Sequence, residues 1–390
     1  MPSDRRTFVK QSTLAGLAMG AAGVAPAIRA DEKTPAWQKS AGLIVRSRRP
    51  LDLETPVDWL DAEFTPNEWF FVRNHFGEPA VNPAGWAVTF DGLFENQKKL
   101  KLSEIFDQFE RVERPAVAMC AGNGRALFKP NVPGIMWERG AVGQALWGGI
   151  RFADLAKAMG LKPDAKHLIF ETGDTPPTDK TPPFTRSLPL ERLMRDDVIL
   201  ADRMNGEPLP LLHGGPLRLV VPTWTANHWV KWIRRVTASA NESPAFFQQT
   251  GYKFPTEKLP PEVAPKPEQL KSVTELFVKS QITSHTSGTT VNAGQLTIRG
   301  LAWTGSGTIT RIEVRTGADQ PWQPAKITSK QVLEGAWVRW EAAIDLPRAG
   351  TWQVASRATD SKGRTQPDEP FWNRSGYLYN AIDPIKIQVI

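Results

Sequence analysis

The sequence predicts an α+β domain followed by a β-sandwich, and three observations carry that reading. Between Leu60 and Val236 short apolar β-runs alternate irregularly with short helical stretches, unlike the regular strand–helix alternation of a doubly wound fold. Pro255, Pro260, Pro261, Pro265 and Pro267 then punctuate a single stretch. Beyond it apolar residues recur at period two between Gly-rich or charged turns, with no helix signal.

Taken in order, residues 1–30 read as a leader. Arg5-Arg6-Thr7-Phe8-Val9-Lys10 precedes an apolar run from Leu14 to Ala27 and small residues near Ile28-Arg29-Ala30. A charged start, a short apolar segment and a small-residue cleavage site make a secretory signal, and the arginine pair marks the twin-arginine route to the periplasm. That route carries folded proteins, often around a cofactor. Residues 31–250 form the first domain, beginning with an extended polar arm over 31–56. Its expected strands include Trp86–Phe90, His167–Glu171 and Leu217–Pro222, and its expected helix is Phe152–Met159. Residues 251–271 read as a stiff proline-rich connector. Residues 272–390 supply the sandwich, with strands at Leu276–Ile282, Gln295–Leu301, Thr308–Val314, Trp337–Ala343 and Thr351–Ala358.

Composition narrows the function. A chain of 390 residues, 41% hydrophobic and 23% charged, suits a soluble globular protein of two domains. After the leader no apolar run reaches the 18–20 residues or so that a membrane span needs. The net charge is +7, of which the first thirty residues hold +3; the remainder, without a basic helix, does not suggest a nucleic-acid partner. One cysteine, Cys120, cannot form an internal disulfide, and there is no paired-cysteine metal spacing, haem-attachment motif or His-Glu-x-x-His among the five histidines.

Three segments carry chemistry. Val117-Ala118-Met119-Cys120 runs an apolar strand into the turn Ala121-Gly122-Asn123-Gly124-Arg125. Free backbone N–H groups and a nearby guanidinium would lower the thiol pKa, so Cys120 reads equally as a metal ligand, a reactive thiol or part of a plain turn. Trp69-Phe70-Phe71-Val72-Arg73-Asn74-His75 is an apolar β-run ending in an arginine and a histidine, which together can read an anion, or simply a salt-bridged strand end. His213-Gly214-Gly215-Pro216-Leu217-Arg218, followed by Trp229-Val230-Lys231, sets three potentially cationic groups about a glycine-rich turn fit for a phosphate, although no Walker or dinucleotide fingerprint is present.

These segments resemble, in order and over nearly the whole chain after the leader, the sulfite oxidase family of molybdopterin enzymes. Trp137 with Gly140-Ala141-Val142-Gly143, the run Met204-Asn205-Gly206-Glu207-Pro208-Leu209-Pro210 and Val230-Lys231-Trp232 add to the likeness. The resemblance implies a molybdopterin-binding catalytic domain followed by an immunoglobulin-like dimerisation domain. It implies Cys120 as the thiolate on molybdenum. Phe71, Val72, Arg73, Asn74, His75, Asp174, His213, Arg218, Trp229, Val230 and Lys231 would hold the pterin and its phosphate. Arg73, Arg125 and Trp137 would form the anion pocket. The implied reaction is oxygen-atom transfer to sulfite, with the arginines neutralising and orienting a dianion while the cofactor supplies the chemistry.

One departure concerns the substrate. Sulfite-oxidising members commonly carry a tyrosine two residues before the Met-Asn-Gly turn, where this chain has Asp202. A carboxylate facing the pocket would repel sulfite unless protonated or paired, with Arg203 or Arg125, whereas one pointing away would be irrelevant. A sulfane dehydrogenase or a sulfoxide reductase is therefore the alternative within the class. With no room for a fused haem domain, electrons are expected to pass to a separate c-type cytochrome. Outside the class stand a non-enzymatic exported binding module, which would contain no molybdenum, and thiol catalysis at Cys120, which would need no metal.

Overall fold

The computed structural model describes residues 39–390, so the leader and the first residues of the arm lie outside it. The arm enters as a hairpin, β1 (Ile44–Arg48) on β2 (Leu51–Glu54), whose Leu43 and Leu53 pack against Val72. The first domain then builds two five-stranded sheets from β3 (Ala87–Gly92), β4 (Lys98–Lys101), β5 (Arg111–Met119), β6 (Val142–Arg151), β7 (His167–Thr172), β8 (Thr185–Pro189), β9 (Ile199–Met204), β10 (Glu207–Pro208), β11 (Arg218–Val220) and β12 (Ile233–Ser239). One sheet runs β10-β9-β6-β5 with β11 also on β9; the other runs β4-β3-β12-β7-β8, with β3 and β12 parallel. The helix Phe152–Met159 forms as expected, turning Phe152, Ala153, Leu155, Ala156 and Met159 inward at helical spacing.

The apolar run before Arg73 is not a strand. Only the reciprocal backbone pair between Val72 and Leu53 remains, because the run is drawn past β6, where Gly143 leaves room for the Phe70 ring; a Cβ there would lie 2.7 Å from it. The proline-rich stretch is likewise no straight spacer. Its ends meet as β13 (Lys253–Pro255) on β14 (Leu270–Ser272), with Phe254 buried between the domains.

The second domain is a two-sheet sandwich. Strands β15 (Lys279–Ile282), β17 (Gly294–Trp303), β20 (Lys326–Ile327) and β21 (Val338–Leu346) make one sheet in the order β15-β17-β21-β20. The other, in the order β16-β23-β22-β18-β19, holds β16 (Thr290–Val291), β18 (Ile309–Arg315), β19 (Gln323–Pro324), β22 (Gly350–Asp360) and β23 (Ile385–Val389). The alternating burial of β21 and β23 turns Val338, Trp340, Ile344, Ile385 and Ile387 into one apolar core. The domains do not merely touch. Val117, Met119 and Ala121 at the end of β5 share a core with Leu301, Trp303, Trp337 and Leu378 of the sandwich.

Candidate active site

Strand β5 stops where chemistry begins. Its pairing with β6 ends at Met119 opposite Val142, and the Cys120 N–H donates to the Ala141 carbonyl (2.9 Å). The turn that follows is pinned from inside by Asn123, whose buried side-chain oxygen accepts from the Ala141 N–H (3.0 Å). Gly124 adopts φ 85°, and a side chain there would strike Tyr379 of the second domain. The thiol, 8% exposed, thus stands at a rigid strand end facing a cleft of about 720 Å³, part of it open to solvent.

The cleft wall is cationic. Arg218 donates to the carbonyls of His213 (2.7 Å) and Trp229 (3.1 Å) and lies over the ring of Trp147 (4.9 Å). Burial pushes its guanidinium down to about 9, and no carboxylate pairs with it among the described residues. The Lys231 ammonium donates to the carbonyls of Arg73 and Leu212 (both 3.1 Å) and to the Asn74 side chain; burial, then Arg218, hold it well below the usual lysine range. Arg73 is half-buried and pairs with buried Asp52 at 3.5 Å. His75 stacks on Phe184 (4.1 Å between centroids) and shares a hydrogen bond with the Tyr252 hydroxyl (2.7 Å); burial, then Arg73, keep it neutral. On the same wall, Asn227 has neither its side-chain oxygen nor its nitrogen partnered by protein.

Of the expected cofactor residues, Phe71, Arg73, His75, Asp174, His213, Arg218, Trp229 and Lys231 line the cleft with Cys120. Burial raises the Asp174 carboxyl against its hydrogen bond from Thr172. Asn74 sits behind, holding Lys231. Val72 and Val230 are buried away from the cleft, each engaged through its backbone, with Leu53 and Leu219.

Four expectations are corrected. Trp137 is fully buried in the core behind the cleft. Arg125 does not line the cleft either: it is clasped by Gly122 and Gly134, donates to the carbonyls of Ser375 (3.1 Å) and Ile135 (3.0 Å), and stacks over Tyr377 (5.3 Å). Asp202 faces away, in an ion pair with Arg111, which is 39% exposed. It sits beside Gly148 of β6, whereas Cys120 lies past Val142, roughly 20 Å further along at the rise of a strand. The missing tyrosine therefore says nothing about the pocket, and the cleft has a tyrosine of its own in Tyr252. Finally, the thiol is pushed up rather than down: burial outweighs Arg73, Arg125 and the Gly122 N–H.

Sequence reasoning missed Trp147, Asn227, Tyr252 and Asp52. Tyr252 lies in a stretch read as linker, Asp52 in one read as arm, and neither carries a local signal.

These residues fit an anionic, sulfur-bound metal cofactor. Buried guanidinium and ammonium groups short of carboxylates, and an Asn227 amide without partners, call for a polar anion in the cleft. A thiol held neutral by burial becomes a thiolate when a metal takes its proton's place.

The comparisons agree. Residues 75–247 match the oxidoreductase molybdopterin binding domain and residues 270–390 the Mo-co oxidoreductase dimerisation domain. The chain is 34% identical to sulfite oxidase of Gallus gallus, over 87% of this chain and 76% of that protein. To the mitochondrial sulfite oxidase of Drosophila melanogaster it is also 34% identical, over 92% of this chain and 66% of the relative. The solved structure of the sulfane dehydrogenase SoxCD from Paracoccus pantotrophus superposes with a TM-score of 0.77 at 27% identity, covering 96% of each chain. Cleft and matches together define an oxidoreductase that uses a molybdenum cofactor. Within that class, the chain belongs to the sulfite oxidase family.

Proposed function

We propose that the protein oxidises sulfite, or a closely related sulfur oxyanion, to sulfate in the periplasm and passes the electrons to a separate c-type cytochrome. The observation that carries the reading is the single thiol facing a cleft whose wall holds Arg73, Arg218 and Lys231. Cys120 would bind molybdenum; His213, Arg218 and Lys231 would hold the phosphate of the pterin, and Asn227 and Asp174 its polar ring edges. When bound, the cofactor supplies oxygen-atom transfer and takes up two electrons. The chain's share is electrostatic. Arg73, braced by Asp52, meets the incoming dianion and offsets its charge. Tyr252, bonded to the His75 imidazole, presents a hydroxyl that can orient an oxyanion. Arg125 acts from behind, holding the Cys120 turn through the carbonyls of Ser375 and Ile135. The twin-arginine leader, which lies outside the described residues, supports export of the folded protein, and the match to a dimerisation domain supports a homodimer.

A second reading has its own support: the likeness to the sulfane dehydrogenase SoxCD extends over 96% of the chain. One assay divides the two. Purified protein is offered sulfite, then a protein-bound sulfane sulfur, with ferricyanide and cytochrome c as acceptors. Sulfite-dependent reduction supports the first reading. Turnover only with the carrier-bound sulfur replaces it with the second.

A further inference from the structure

The N-terminal arm reaches the cleft wall at His213 through one side chain, Lys39. Lys39 extends its ammonium to the Phe70 carbonyl (2.8 Å), the Asn67 carbonyl and His213 Nε2 (2.6 Å). The arm is anchored just beyond it: Ser40 donates to the Glu68 carbonyl (3.1 Å), and the Leu43 cluster packs on Leu212, the neighbour of His213.

An ammonium has three N–H groups, and here it meets three acceptors. The third is a ring nitrogen: toward an ammonium at 2.6 Å it offers a lone pair, which puts the imidazole proton on Nδ1 and leaves the longer approach of Nε2 to the Asn67 carbonyl (3.4 Å) without a hydrogen bond. Nε2 is turned to Lys39, and Nδ1 makes no protein hydrogen bond among the described residues, while the ring lines the cleft. Its surroundings keep the ring neutral: burial comes first, then Lys39, Arg218 and Lys231.

We propose that Lys39 is a positioning residue of the cofactor site. Its ammonium fixes the His213 tautomer and aims an Nδ1–H donor at the anionic end of the cofactor. The inference rests on placing that end among His213, Arg218 and Lys231. It makes the arm part of the cofactor site rather than a tether. A proton shared the other way, with a neutral amine accepting from Nε2–H, would turn a lone pair toward the anion and repel it. Burial pushes the Lys39 amine down to about 7, which brings both forms within reach near neutral pH, and an anion in the cleft selects the ammonium form.

The test uses the full chain loaded with its cofactor and labelled with nitrogen-15 at histidine. Long-range proton–nitrogen correlation reads the tautomer, with the His213 signal assigned by its loss in His213→Gln. Molybdenum per chain is followed during dialysis. Two variants are compared, Lys39→Met and Lys39→Gln; the second keeps an N–H donor for the arm's carbonyls but no charge. The expected result is the Nδ1–H form in the wild type, its loss in both variants, and molybdenum release about tenfold faster or more, the worth of one charge-assisted hydrogen bond. A loaded wild type with the proton on Nε2, or with a doubly protonated ring, overturns the proposal alone. So does an unchanged tautomer or unchanged release in both variants. A folded wild type without molybdenum overturns the cofactor reading, and this proposal with it.

Discussion

At the scale of single residues, burial decides more than neighbouring charge. Cys120 illustrates it: a strand end, a glycine turn and an arginine suggest a thiolate, yet a side chain 8% exposed loses more to desolvation than two guanidiniums return. Residue identity was legible in the sequence, but solvation was not, because exposure depends on what the rest of the chain brings over the site. Cys120→Ser should accordingly fold, with a melting temperature close to that of the wild type, and lose turnover, since the change removes a metal ligand and almost no volume. Asp202 gives the opposite lesson. Its place two residues before Met204 suggested the pocket, but β9 turns it toward Arg111, where its own side chain is only 9% exposed. Asp202→Asn should leave kcat and KM within about twofold, while the loss of a largely buried, charge-assisted hydrogen bond to Arg111 should cost up to about 3 kcal/mol in urea unfolding. A tenfold loss of kcat would return it to the active site.

At the scale of elements, alternation and spacing placed most strands and the helix Phe152–Met159 correctly, since one buried face leaves a periodic mark. Elements held by close approach left no such mark. The run before Arg73 has strand composition, but lies against β6 because Gly143 makes room for Phe70. The proline stretch reads as a spacer, but the pairing of β13 with β14 brings Tyr252 to the cleft. A buried ion pair ties elements of the first domain together: Arg192, after β8, holds Asp197 (2.8 Å and 3.0 Å) and also donates to the Pro222 carbonyl beyond β11. Both side chains are under 8% exposed. Asp197→Ala leaves a guanidinium buried without its partner and should cost about 3–5 kcal/mol in urea unfolding. A loss below about 1 kcal/mol would show that water reaches the arginine.

At the scale of the whole molecule, two domains were legible, but their shared core was not. The Cys120 turn leans on the second domain, through the Ser375 carbonyl on Arg125 and the Leu378 N–H on the Ala121 carbonyl (2.8 Å). A periodic pattern reports which face of a strand is buried and not what covers it. Global stability also carries a pH signature. His228, 1% exposed, donates from Nε2 to the Val273 carbonyl (2.8 Å), and burial holds it well below the ordinary imidazole value. A depressed folded pKa means the unfolded chain binds the extra proton, so this contribution is whole above about pH 6.5. Below that it falls by up to about 1.4 kcal/mol per pH unit. Urea titrations between pH 7.5 and about 5.5 should show the slope, and His228→Gln should lower it by up to about 1.4 kcal/mol per pH unit, leaving the shares of the buried His75 and His213. X-ray absorption at the molybdenum edge reads the proposed bond between the Cys120 sulfur and molybdenum. The sulfur shell should lose one scatterer in Cys120→Ser; an unchanged shell, or a folded wild type carrying no molybdenum, would rule that bond out.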